Sequence, residues 1–157
     1  MNYTQKYASP LGGITLASDG ANLIGLWFDG QKYFADTLGD VHDARPLPVF
    51  EQTVAWLDTY FSGRAPNFTP PLNPRRETIF RPLVWEILLT IPFGQTTTYG
   101  AIAKRLNTSA RAVGGAVAHN PISIIIPCHR VIGSDGRLTG YAGGLDKKIK
   151  LLELERN

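Results

Sequence analysis

The chain has 157 residues, 43% hydrophobic and 18% charged, with 16 Lys and Arg against 13 Asp and Glu. That is enough apolar material for one compact domain or two small ones and too much for a disordered chain, and no apolar run approaches the roughly 18 residues of a membrane span. The opening Met1-Asn2-Tyr3-Thr4-Gln5-Lys6 lacks the apolar core of a secretion signal, and one cysteine with the scattered His42, His119 and His129 cannot supply the Cys/His pairs of structural zinc, so a cytoplasmic protein without metal or membrane association is expected.

Charge is unevenly spread. Cut near Pro74, after the proline-rich stretch Pro66–Pro74, the first part holds 4 basic and 7 acidic residues, or −3, and the remainder 12 basic and 6 acidic, or +6. Two domains are therefore expected, 1–74 and 75–157. The second is suited to a polyanion such as nucleic acid, although the same charges also suit an ordinary solvated surface.

In chain order, Tyr3–Ala8, Ile14–Ala17 and Leu23–Phe28 are β-prone runs separated by Ser9-Pro10-Leu11-Gly12-Gly13 and Asp19-Gly20, which predicts an antiparallel meander. His42 falls in a polar connector and reads as a solvated histidine. Phe50, Val54, Leu57 and Phe61 then recur at helical spacing up to Gly63, predicting a helix packed on the sheet.

Beyond the proline stretch, Phe80, Val84, Ile87, Leu88 and Ile91 share one helical face ending at Pro92-Phe93-Gly94. Thr98 can cap a helix from Tyr99 to Leu106, and after Asn107-Thr108 Ser109 can cap another from Ala110 to Ala118, giving a helix-turn-helix. The second of these helices is nearly bare, with Ala110, Ala112, Gly114, Gly115, Ala116 and Ala118, and only Arg111 reaches far. Two interior glycines cost roughly 1 kcal/mol each against alanine, so close packing on protein or on DNA must compensate. Without base-reading side chains, DNA binding by this helix is expected to be shape-driven, with one inserted side chain, as in minor-groove proteins. The chain continues through apolar Ile122–Ile126, Pro127-Cys128-His129-Arg130, Val131-Ile132 and the glycine-rich Thr139–Gly144 to a last helix from Leu145 to Glu155. The glycine-rich loop lacks phosphate-loop spacing, so no nucleotide cofactor is assigned.

Cys128 is the only cysteine. It is either a small buried hydrophobe or a nucleophile, which at a free pKa of about 8.5 would need its proton drawn off by a neighbouring base. His129 is adjacent, but neighbours in sequence need not point the same way.

Arg111-Ala112-Val113-Gly114-Gly115, Asn120-Pro121, Pro127-Cys128-His129-Arg130-Val131 and Tyr141-Ala142-Gly143-Gly144, in that order, resemble the O6-alkylguanine-DNA alkyltransferases. The resemblance is specific over Phe80–Glu155 and implies an α/β (α+β) protein. A small N-terminal antiparallel sheet with a helix would be followed by a mainly helical, winged-helix-like domain. It further implies that Cys128 accepts the alkyl group of O6-alkylguanine, and of O4-alkylthymine, in double-stranded DNA, irreversibly and once per molecule. By the family pattern His129 activates the thiol through a water, Glu155 orients the imidazole, and Asn120 ties the active-site turn to the recognition helix. Tyr99 crowds the phosphate beside the target and donates a proton to the departing base; Arg111 fills the space of the flipped nucleotide, with Ala112 and Gly115 on the same DNA-contacting helix. Val131, Leu138, Tyr141, Ala142 and Gly143 would line the pocket, with Ala142 where some relatives carry serine. A monomer without cofactor is implied. A lesion sensor without transfer chemistry and a cysteine hydrolase are the alternatives; the first would not need the acceptor thiol, and the second explains neither the basic half nor the bare helix.

Overall fold

The structure, a computed structural model, describes residues 2–39, 42–75 and 78–156. Its contacts divide it into two units: residues up to Arg75 together with Pro121–Ser123, and the remainder through Asn120 and from Ile124 to Arg156.

In the first unit β1 (Asn2–Ser9), β2 (Gly12–Ser18) and β3 (Leu23–Phe28) form the expected meander, in register from Tyr3↔Ser18 to Ser9↔Gly12 and from Ile14↔Phe28 to Ala17↔Gly25. The central β2 buries both faces from Ile14 to Ser18. The sheet is not purely antiparallel, because β4 (His42–Ala44) adds beside β1 in parallel, giving the order β3-β2-β1-β4. The backbone of His42 thus belongs to a strand and not to a connector; three residues are too few to show a period-2 pattern.

The helix α1 (Pro48–Phe61) opens with proline at its first position, where the missing N–H costs nothing. It stops at Gly63, whose φ of 89° lets Gly63 N–H reach Tyr60 O at 3.0 Å and Arg64 N–H reach Thr59 O at 3.4 Å. Its buried face is Val49, Phe50, Thr53, Trp56, Leu57 and Tyr60, rotated from the predicted stripe so that Val54 and Phe61 are only half-buried. Thr53 joins the core because its hydroxyl donates to Val49 O at 2.7 Å within the helix. The other edge of β3 is covered too: Leu23 exchanges backbone hydrogen bonds with Pro71 and Asn73, and Leu26 with Pro121 and Ser123. The end of the proline-rich stretch is therefore part of this unit's sheet edge and no free linker.

The second unit contains α2 (Phe80–Leu88), β5 (Thr97–Thr98), α3 (Tyr99–Arg105), α4 (Ala110–Ala118), a 3-10 turn (Cys128–Arg130), β6 (Val131–Ile132) and α5 (Leu145–Glu155). Both predicted caps form: Thr98 Oγ1 accepts from Ala101 N–H at 3.0 Å and Ser109 Oγ from Ala112 N–H at 3.1 Å. Asn107, at φ 55°, ends α3 in the left-handed conformation that asparagine tolerates, and Thr108 N–H closes the turn on Ala103 O at 2.9 Å. Helices α2 and α3 pack on α4, where Trp85 Nε1–H donates to Ala116 O at 2.9 Å. The α2 stripe turns toward Val84, Trp85 and Leu88, leaving Phe80 and Ile87 half-buried. The strands β5 and β6 pair in parallel, Thr97↔Val131 and Thr98↔Ile132, and bring the start of α3 beside the strand that follows the cysteine turn.

Candidate active site

All the residues of interest lie in the second unit. Approaching the cysteine, Ile124 is fully buried yet sits at φ 70°, an outlier for a β-branched residue that stores about 1–3 kcal/mol and persists only where packing enforces it. Asn120, at the end of α4, donates from Nδ2 to Ile126 O at 2.8 Å and so ties that helix to the cysteine turn. The turn itself is closed by Cys128 N–H to Ile126 O at 2.8 Å and Arg130 N–H to Pro127 O at 3.0 Å.

Cys128 is 4% exposed. Burial pushes its thiol pKa up, and the opposing contacts of Asn120 and Tyr141 and the charge of Lys148 do not reverse that. The resting site therefore holds a thiol and not a standing thiolate, and a base must take the proton during reaction.

His129 is fully buried next to it, and its ring meets Glu155 from the far end of α5. A carboxylate only accepts, so Nε2 carries the ring hydrogen and donates to Glu155 Oε2 at 2.5 Å, which makes Nδ1 the basic nitrogen of the neutral ring. Burial, helped by the charges of Arg130 and Lys148, holds the imidazole below its ordinary pKa against the pull of Glu155. Glu155 is further held by Arg130, with Nε to Oε1 at 2.8 Å and Nη2 to Oε2 at 3.2 Å, and by Gly94 N–H to Oε1 at 3.0 Å. Gly94 is glycine for two reasons: its φ is 83°, and a Cβ there would stand 3.2 Å from Glu155 O.

Tyr99 begins α3, and burial raises its phenol pKa, against an interaction with the Thr139 hydroxyl. Between these segments lies Lys148, fully buried, donating to Val131 O at 2.6 Å and Thr139 O at 3.2 Å and standing 5.8 Å from the Tyr99 ring centre. Val131 is fully buried, whereas Leu138, Tyr141, Ala142 and Gly143 are half-buried along the following loop. On α4 Arg111 and Gly115 are exposed and Ala112 is half-buried; a Cβ added at Gly114 or Gly115 would meet nothing within 4 Å. Packing inside the protein therefore does not explain these two glycines.

Arg130, Lys148 and Gly94 were not among the expected site residues. A signal existed for Lys148: Lys148, Leu151, Leu152 and Glu155 share one face of α5 at i, i+3, i+4 and i+7, so a buried Glu155 carries Lys148 inward with it. Apolar Leu145 and Ile149, both exposed, obscure that face in the sequence.

Residues 79–157 match the family model for the DNA binding domain of 6-O-methylguanine DNA methyltransferase, and residues 2–74 match its ribonuclease-like domain. The chain belongs to the 6-O-methylguanine DNA methyltransferase family. It is 41% identical to a methylated-DNA–protein-cysteine methyltransferase of Haemophilus influenzae over 98% of this chain and 86% of that protein. A protein of the same name from Methanosarcina mazei is 45% identical over 99% of this chain and 98% of its own length. The crystal structure of Mycobacterium tuberculosis OGT in complex with DNA superposes with a TM-score of 0.88 at 44% identity, covering 98% of this chain and 92% of that one. Family membership makes this chain a DNA-repair methyltransferase whose acceptor is a protein cysteine. No helix among the described residues is long and apolar enough to cross a membrane.

Proposed function

We propose that Cys128 takes the alkyl group of O6-alkylguanine, and of O4-alkylthymine, directly from double-stranded DNA and keeps it. The observation that carries this reading is a buried thiol in the same short turn as a buried histidine whose ring is fixed by Glu155. Cys128 is also the only cysteine available to a protein-cysteine methyltransferase. In this mechanism a water relays the thiol proton to His129 Nδ1 and the sulfur attacks the saturated alkyl carbon. The C–O bond breaks, and the electron pair goes to the base, which Tyr99 protonates as it leaves. The proton taken by His129 returns to the tyrosinate through solvent, so the net change is one thiol proton moved to the base and one thioether formed. No second thiol is present to reverse that bond, and each molecule acts once.

A base inside a duplex cannot reach a thiol that is 4% exposed, so the target nucleotide must be extruded at a cost of a few kcal/mol. The open face of α4 at Gly114 and Gly115 supports close approach to the minor groove, where Arg111 occupies the vacated stack. On this reading residues 1–74 form an N-terminal α/β domain and residues 75–157 the DNA-binding and alkyl-acceptor domain of a cytoplasmic monomer. Leu138, Tyr141, Ala142 and Gly143 form the mobile wall that admits the base beside Val131.

The test is intact-protein mass spectrometry after mixing the protein with a duplex carrying one O6-methylguanine, followed by peptide mapping. One methyl gained on Cys128 and no second round on added substrate is the expected result. An unchanged mass with DNA still bound would replace this reading with that of a lesion sensor.

A further inference from the structure

We propose, resting on the reading above, that Arg130 is a positioning residue that claims both oxygens of Glu155 and thereby keeps His129 a neutral base instead of the cation of a standing ion pair. A carboxylate offers about four lone-pair directions. On Oε1 of Glu155 they are taken by Gly94 N–H at 3.0 Å and Arg130 Nε at 2.8 Å; on Oε2, by Arg130 Nη2 at 3.2 Å and His129 Nε2 at 2.5 Å. An imidazole facing a buried carboxylate alone is drawn toward protonation, because opposite charge within about 4–6 Å favours the ionised form.

Here the permanently cationic guanidinium already neutralises that carboxylate, and a proton on His129 would be a second cation on one anion. The charged groups that act on His129 make the same count: Glu155 and Lys148 from α5, with Arg130 from its own turn. Helix α2 also packs on the turn, and it carries Arg81 and Glu86, of which Glu86 is exposed. Arg130 cannot swing aside, since Nη1 donates to Ile91 O at 2.7 Å and the guanidinium stands 5.8 Å from the centre of the Phe93 ring. A depressed imidazole pKa, caused first by burial and then by these cations, agrees with this arrangement. The consequence for the reaction is that Nδ1 keeps its lone pair at neutral pH and is ready when the thiol proton arrives.

The test is the single-turnover rate of methyl transfer from an O6-methylguanine duplex, followed from about pH 5 to about pH 9. The unaltered protein is expected to hold its rate through neutrality and to lose it only below the ordinary histidine pKa of about 6.5. In Arg130→Gln the acid limb should move up by about one pH unit or more, with the alkaline plateau kept within about tenfold. Arg130→Lys, which keeps the charge, should hold the limb near its original place. A rate that falls equally at every pH in Arg130→Gln, with the limb unmoved, would overturn the proposal and leave Arg130 a scaffold only. If Arg130→Gln does not fold, Arg130→Met takes its place, read by NMR titration of His129: a pKa raised by about one unit over the unaltered protein is expected, and an unmoved pKa overturns the proposal. Absence of transfer from DNA at every pH would instead break the functional reading, and the titration would still decide the role of Arg130.

Discussion

The two units of this protein handle polar groups in opposite ways. In the first, ion pairs stay wet: Lys6 meets Asp29 at 3.2 Å with side chains 71% and 42% exposed, and the polar side chains it buries, such as Thr15, Ser18 and Thr53, are neutral. The second buries His129, Arg130, Lys148 and Glu155 outright. Each buried ion costs several kcal/mol of lost hydration, so an ordinary core has no use for four ionisable groups in one place. A reacting thiol does, because it needs a base held in one tautomer and nearby charges that fix where its proton can go. The contrast teaches that the first unit is organised for stability and the second accepts instability for the sake of chemistry.

The contrast is broken most completely at Cys128. Cys128→Ser is expected to abolish methyl transfer while leaving DNA binding within about twofold, since one small buried group replaces another and no DNA-facing residue changes. Radiolabelled methyl uptake and a gel-shift titration check the two halves of that statement, and uptake by the serine variant would sink the assignment. Next in size is Glu155→Leu. Removing the one anion strands Arg130 and His129 in the interior, and urea unfolding should show a loss of about 3–5 kcal/mol. Unchanged stability would mean that the buried network does not depend on its anion.

Arg111→Ala separates DNA engagement from chemistry within the same unit. Arg111 is exposed on α4 and the Glu155 network is buried, so reaction with free O6-methylguanine base should be unaffected, whereas repair of duplex substrate should slow by about tenfold. Equal losses on both substrates would argue against insertion of this side chain into the duplex.

How much of this was readable in the sequence follows from the range of the forces involved. Thr98 and Ser109 announce their caps because a hydroxyl and an amide three residues apart settle the matter locally. The stop at Gly63 and the bare face of α4 are legible for the same reason. The α1 stripe was displaced because Thr53 satisfies its hydroxyl on Val49 O, a rotamer-level event that hydrophobic spacing does not register. Strand β4 depends on pairing His42–Ala44 with Asn2–Thr4, some forty residues away, and carries no local mark. In the site, Cys128, His129, Asn120 and Glu155 were legible through motif resemblance. Arg130 and Lys148 were not, since a basic residue in a basic half looks solvated until the packing shows it buried. The sense of the thiol's pKa shift was equally invisible, because desolvation, the largest influence on it, is a property of the fold.

The smallest effect is expected where the first unit most resembles the second on paper. Lys6 and Asp29, with Thr15 Oγ1 donating to Asp29 Oδ1 at 2.7 Å, form a linked acid, base and hydroxyl much as His129, Glu155 and Arg130 do. Water reaches both charges, however, so their attraction is screened and the ordered side chains lose rotamer freedom in return. Asp29→Asn should therefore change urea stability by no more than about 1 kcal/mol and leave the transfer rate untouched. A larger loss, persisting at high salt, would mean that the hydrogen bond to the buried Thr15 outweighs screening at this edge of the sheet, and that the division between a wet, structural unit and a dry, chemical one is less sharp than burial alone suggests.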